Sequence, residues 1–130
     1  MKYCDGSGHQ GRREAPVAYK GSNLFFRGQD ITIATLNHVD QTHGLFSKAT
    51  EIMVSGGSAG GVASMVWSNY IQGRAVHKNV YNVPDAGIFL DYTNYKTGQS
   101  ELKKIFMNLF KLSNVEAALP VPECVATYGG

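Results

Sequence analysis

Gly56-Gly57-Ser58-Ala59-Gly60-Gly61 constrains this chain more than any other stretch, because six small residues in a row separate two patterns of different period. Before them, Glu51-Ile52-Met53-Val54-Ser55 is short, largely apolar and carries β-branched residues, which predicts a buried parallel strand. After them, Val62, Met65, Val66 and Tyr70 recur at helical spacing, which predicts one face of a helix with Gly73 as its C-terminal stop. Strand, glycine turn and helix in that order belong to an α/β architecture with a mostly parallel sheet and flanking helices.

The serine among these glycines has the G-x-S-x-G spacing of a nucleophile elbow. In such a turn the backbone is too sharp for side chains at Gly56 and Gly60, and the Ser58 hydroxyl stands exposed above the sheet edge. A run of small residues also suits a phosphate-cradling loop or an ordinary tight turn. The phosphate reading is the weaker, since no Gly-Lys-Ser/Thr ending follows the glycines and the helix opens with Val62-Ala63.

A serine hydroxyl becomes a good nucleophile only when a histidine takes its proton, and that imidazole needs a carboxylate to fix its tautomer. Elbow folds carry the three in the chain order Ser, Asp or Glu, His. This chain does not supply that order: His77 is the only histidine after Ser58, and Asp85 and Asp91 both follow it. His9, His38 and His43 precede the serine and read as surface or loop residues. Asp85 comes after a strand-like run at residues 79–83, where some folds of this kind place their acid. No histidine follows to receive its hydrogen bond, and Pro84-Asp85-Ala86-Gly87 reads as a structural turn.

The length of 130 residues and 43% hydrophobic content suit one domain, yet fewer strands are legible than a sheet built around a central nucleophile strand requires. Residues 1–130 are therefore expected to form a single partial domain, with a first strand at residues 1–3 cut short and no closing element at residues 125–130. Residues 10–22 read as polar and irregular, with Arg12 and Arg13 in a solvated patch. Phe25-Phe26-Arg27-Gly28 leads into a helix expected over residues 31–39, completing a βαβ unit with the elbow strand. From Ser100 onward, Leu102, Ile105, Phe106, Leu109 and Phe110 predict a further amphipathic helix whose aromatic stripe enters the core, and Pro120 and Pro122 end regular structure.

Four motifs follow one another: Tyr3-Cys4-Asp5-Gly6-Ser7-Gly8-His9-Gln10-Gly11, Leu24-Phe25-Phe26-Arg27-Gly28, Val54-Ser55-Gly56-Gly57-Ser58-Ala59-Gly60-Gly61 and Pro84-Asp85-Ala86-Gly87-Ile88-Phe89-Leu90-Asp91. In that order they resemble the pectin acetylesterase family, which also contains the Notum carboxylesterases. The first motif, with Asn108-Leu109-Phe110-Lys111-Leu112-Ser113-Asn114, looks most like the protist branch. The resemblance implies an incomplete α/β-hydrolase fold and a secreted serine carboxylesterase that removes acetyl groups from polysaccharide. It makes Ser58 the nucleophile and the backbone N–H of Ala59 a donor to the oxyanion of the tetrahedral intermediate. The family's catalytic Asp and His, and its Gly-Gly-Trp-Cys-type oxyanion segment, match no position here. The isolated chain is thus expected to be inactive, and the alternatives are a glycan- or acyl-binding remnant and a Notum-like protein deacylase. Residues 5–11 are expected at the carboxyl end of the first strand, on the ligand side of the sheet, which makes Asp5, Gly6 and Ser7 candidate substrate contacts. A polar turn is the other reading of that loop.

Charge argues against other classes. A formal net charge of +2 from 12 basic and 10 acidic residues gives a mixed surface with no stripe for nucleic acid. No apolar run approaches the ~18 residues of a membrane span, and residues 1–20 contain no signal peptide. The four histidines and two cysteines show no metal-site spacing, no cofactor is expected, and Cys4 and Cys124 are free to pair with each other or elsewhere. No Asn-x-Ser/Thr sequon occurs, so secretion rests on the resemblance alone.

Overall fold

The computed structural model describes residues 1–115 as an α/β arrangement of four short strands and three helices. The chain opens without regular structure through residues 1–4, so the strand expected there does not form in the described fold. A hairpin follows instead of the irregular segment expected. β1 (Val17–Tyr19) pairs antiparallel with β2 (Ser22–Leu24) across a two-residue turn. Lys20 and Gly21 both have positive φ, 47° and 78°, the backbone twist that two-residue hairpin turns require.

Helix α1 (Gly28–His43) is longer than predicted at both ends. Its N-terminus is fixed by a residue far away in sequence: the Gly28 N–H donates to the Asp5 carboxylate at 2.7 Å. Gly44, with φ 73°, ends it in the left-handed conformation and returns its N–H to the Asp40 carbonyl.

The centre of the structure is one right-sized βαβ unit. β3 (Glu51–Gly57) runs through the predicted strand and two glycines beyond it, α2 (Ala59–Arg74) starts at once, and β4 (Asn79–Asp85) returns parallel to β3. The register pairs Ile52 with Val80 and Gly57 with Asp85. These two strands make a two-stranded parallel sheet, separate from the hairpin.

The buried face of α2 is not the predicted one. Ala63, Trp67 and Ile71 are buried and join Ile52 and Ala75 in the core, while Met65 is exposed and Val62, Val66 and Tyr70 are half-buried. The helix is rotated toward Trp67 because Gly61 must press against the end of β4: a Cβ built there would lie 2.7 Å from the Asp85 carbonyl and 2.7 Å from Gly87 Cα. Ile33, Leu36, Phe46 and Val80 pack around this core, and Arg74 ties α2 to α1 by donating to Asn37 Oδ1 at 2.6 Å while lying 4.2 Å over the Phe46 ring.

The last element, α3 (Glu101–Leu112), forms where its periodicity predicts. Asp91 accepts hydrogen bonds from the Ser100 hydroxyl and the Lys103 N–H and so satisfies one amide of its first turn. Its stripe does not enter the core: no residue of α3 is buried, and Ile105 is 60% exposed. The apolar face instead walls a cleft, with Phe106 against Phe89 edge to face at 5.5 Å. Its C-terminal end docks on the segment before the hairpin, where Arg12 N–H donates to Ser113 O and Arg13 Nη1 to Leu112 O, both at 3.0 Å. Pro120, Pro122, Cys124 and residues 125–130 lie outside the described residues, and Cys4 is an exposed free thiol.

Candidate active site

Ser58 is the single residue between β3 and α2, and its backbone has φ 53° and ψ −117°. A non-glycine residue in such a conformation costs about 1–3 kcal/mol and persists only when its surroundings over-determine it. The surroundings here are specific. Ser58 N–H donates to the Asp85 carbonyl of β4 at 2.9 Å, and its own carbonyl accepts from Gly61 and Val62 in the first turn of α2.

Gly56 is required by close approach, since a Cβ there would sit 2.4 Å from the Gly60 carbonyl oxygen. Gly60 itself faces open space, contrary to the expectation from the spacing. The second glycine that the turn needs is Gly61, which meets Gly87 backbone to backbone. The turn therefore delivers an exposed Ser58 at the N-terminus of α2. Ala59 is the first residue of that helix, where amides have no partner four residues back and the helix dipole favours negative charge.

Ser58 and Ala59 stand in the wall of a cleft of about 450 Å³. One side is the loop of residues 5–11, which contributes Ser7, Gly8 and Gln10. The other side is apolar: Phe89, Phe106, Leu109 and Phe110. Of the predicted contacts, Ser7 lines this cleft, while Asp5 and Gly6 do not. Asp5 is buried beneath the loop and accepts from the Ser7 hydroxyl, the Ser7 N–H and the Gly28 N–H. Its carboxylate thus shapes the loop and caps α1.

Three more bonds hold the loop. Ser7 Oγ accepts from Gly11 N–H at 2.7 Å, the Tyr3 hydroxyl accepts from Gly8 N–H at 2.8 Å, and the Trp67 indole of α2 donates to the His9 carbonyl at 3.1 Å. His9, read from the sequence as a surface or loop residue, is half-buried with φ 61°, its ring 4.8 Å from that of Tyr3 and tilted 45° to it. Burial holds its imidazole below the ordinary value of 6.5; Asp5 pulls the other way, and the N-terminal amino group adds to the lowering. It lines a second hollow, about 540 Å³, that reaches Ser58 from the side of the core.

Among the described residues no imidazole or carboxylate hydrogen-bonds the Ser58 hydroxyl. Asp85 meets the turn at Ser58 through its backbone carbonyl rather than through a relay of side chains. His77, on the turn after α2, is exposed. Among the described residues, no group of three or more His, Cys, Asp or Glu is arranged to hold a metal ion, and none of the helices is long and apolar enough to cross a membrane.

The sequence model of the pectinacetylesterase family matches residues 1–128. Two Arabidopsis thaliana proteins are similar over 127 residues, 97% of this chain: pectin acetylesterase 5 at 32% identity and pectin acetylesterase 4 at 30%. The chain spans 29% and 30% of the length of these curated relatives. No solved structure matches it significantly.

Proposed function

The chain belongs to the pectinacetylesterase family, and from that membership we propose that it is the nucleophile-bearing part of a secreted α/β-hydrolase that removes acetyl groups from polysaccharide. The observation that carries the reading is the conformation of Ser58, strained between β3 and α2 with its hydroxyl exposed at the cleft. Strain of this kind concentrates where a side chain must be presented to a substrate.

In this reading the Ser58 oxygen attacks the acetyl carbonyl carbon as a base takes its proton. The carbonyl electrons move onto oxygen, and the Ala59 N–H at the helix N-terminus stabilises that oxyanion. Collapse expels the sugar hydroxyl, which regains a proton from the base, and water then releases acetate from the acyl-serine. The chemistry needs an imidazole within hydrogen-bond reach of Ser58. The reading assigns it, with its carboxylate, to the part of a longer protein that corresponds to the remaining length of the relatives. Asp5 and Ser7 set the shape of the loop opposite the nucleophile, and Ser7 reaches the cleft itself.

The apolar wall of Phe89, Phe106 and Phe110 favours a second reading, in which the cleft takes a longer acyl group as in a Notum-like deacylase. Acetate release from acetylated pectin by the full-length protein, with Ser58→Ala beside it, tests the first reading; an acyl series of p-nitrophenyl esters separates the two. Ser58-dependent release with a preference for acetate is the expected result. Release that survives Ser58→Ala overturns the assignment of the nucleophile, and a preference for octanoate transfers it to the second reading.

A further inference from the structure

Ser58 shares the cleft wall with three other polar side chains, Tyr3, Ser7 and Gln10, and two of these have hydrogen bonds already. The Ser7 hydroxyl donates to Asp5 and accepts from Gly11, and the Tyr3 hydroxyl accepts from Gly8. Gln10 differs. Its side chain is half-buried, yet among the described residues its amide makes no hydrogen bond. The amide is not among the fully buried polar atoms without a partner, so its donors and acceptor face water that a ligand entering the cleft can replace.

The backbone on both sides of Gln10 is fixed. The His9 carbonyl is held by Trp67, Gly11 N–H by Ser7, Gly11 carbonyl by the Gln29 N–H at 3.0 Å, and Arg12 N–H by Ser113. The amide is also close to the elbow. A Cβ built on Gly8 would lie 3.3 Å from Gln10 Nε2 and 3.9 Å from the Ala59 carbonyl oxygen, so one glycine separates the amide from the residue that follows the nucleophile. A side chain larger than hydrogen at Gly8 would push into that space.

An amide presents donors and an acceptor together, which suits a hydroxyl group that both accepts and donates. The facing aromatic wall of Phe89 and Phe106 suits the C–H face of a ring. We propose that Gln10 is a specificity residue that hydrogen-bonds a ring hydroxyl of the sugar carrying the ester. The inference rests on the esterase reading above and adds to it the contact that selects a hydroxylated alcohol portion over a simple one. A site that pairs with a substrate hydroxyl discriminates against alcohols lacking it.

The test uses the full-length protein with Gln10→Met, which keeps the reach of the side chain and removes its hydrogen bonds, and Gln10→Glu, which keeps an acceptor. The quantity read is the ratio of kcat/KM for an acetylated oligosaccharide to that for p-nitrophenyl acetate. We expect the ratio to fall roughly three- to tenfold in Gln10→Met, mainly through KM for the oligosaccharide, the effect of one partly exposed hydrogen bond. Gln10→Glu is expected to lie between the two. An unchanged ratio in both variants overturns the proposal. Fluorophosphonate labelling of Ser58 in the wild type distinguishes failure of the esterase reading. If Ser58 does not label, calorimetric titration with the same oligosaccharide decides: binding weakened three- to tenfold in Gln10→Met supports the contact, and equal binding, or none to either protein, overturns it.

Discussion

Alanine at Gly56 and alanine at Gly60 should have opposite effects, although both glycines belong to the same G-x-S-x-G motif. A Cβ at Gly56 would come within 2.4 Å of the Gly60 carbonyl oxygen and 2.5 Å of its carbon, where real Cβ contacts below 3.0 Å essentially never occur. The obstructing atoms are helix backbone, so either the end of β3 or the first turn of α2 must move, and Ser58 lies between them. Forcing an extra carbon into such a site costs about 1–3 kcal/mol. At Gly60 nothing lies within 4 Å of the new Cβ, and the residue is helical, so alanine gains up to about 1 kcal/mol in helix propensity. The two variants should therefore differ by about 1–4 kcal/mol. Trp67, the only tryptophan in the chain and 3% exposed, reports unfolding by its fluorescence in a urea titration. With a urea slope of about 2 kcal/mol/M, the midpoints should be separated by about 0.5–2 M. Equal loss of stability in the two variants, or a greater loss at Gly60, would refute the packing of β3 against the start of α2.

Relief of strain should appear at Ser58 itself: Ser58→Gly is expected to be more stable than Ser58→Ala by about 1 kcal/mol, since glycine tolerates positive φ, and the same urea titration measures it. Trp67→Phe removes the indole donor to the His9 carbonyl and part of a buried ring, which should cost about 1–3 kcal/mol. Amide exchange at Gly8 and Gly11, both hydrogen-bonded within the loop, should accelerate in that variant more than exchange in β4, whereas uniform acceleration would mean that the bond does not hold the loop. His9 adds a pH dependence. Its folded-state value lies below 6.5, so between the two values the unfolded chain binds more protons and stability rises with pH. Stability from this source is complete above about 6.5 and is lost as the pH falls through the lowered value. His9→Asn, which tolerates the left-handed backbone, should flatten that part of the pH profile, and an unchanged profile would assign the loss to other groups.

The strand, glycine turn and helix around Ser58 were legible because everything that makes them is local. A strand of β-branched residues, glycines and a serine occur within residues 51–61, and the observed β3, turn and α2 follow in that order. β4 and α3 were legible for the same reason, from short apolar runs and a helical stripe. What escaped was set by contacts between distant residues. The buried face of α2 depends on Gly61 meeting Gly87, which no periodicity encodes, and that contact shifts the face from Met65 to Trp67. Gly61 also takes over the steric role that the motif spacing had suggested for Gly60. Asp5 reads as a polar loop residue, yet it anchors the N-terminus of α1 across 23 positions. The hairpin had a local signal in Lys20-Gly21, obscured by the polar Ser22-Asn23 that follow and by the shortness of both strands. The stripe of α3 was correctly periodic, but periodicity marks an apolar face without saying whether it meets a core or a cleft.

The central claim is that Ser58 is a nucleophile, and covalent capture tests it most directly. The full-length protein would be treated with a fluorophosphonate, digested, and the modified peptide located by mass spectrometry. The account predicts a single phosphonylated residue, Ser58, within the peptide that carries Gly56 to Gly61, and no labelling after Ser58→Ala. A folded, esterolytically active protein that is labelled at another residue, or hydrolyses its ester without labelling at Ser58, would contradict it.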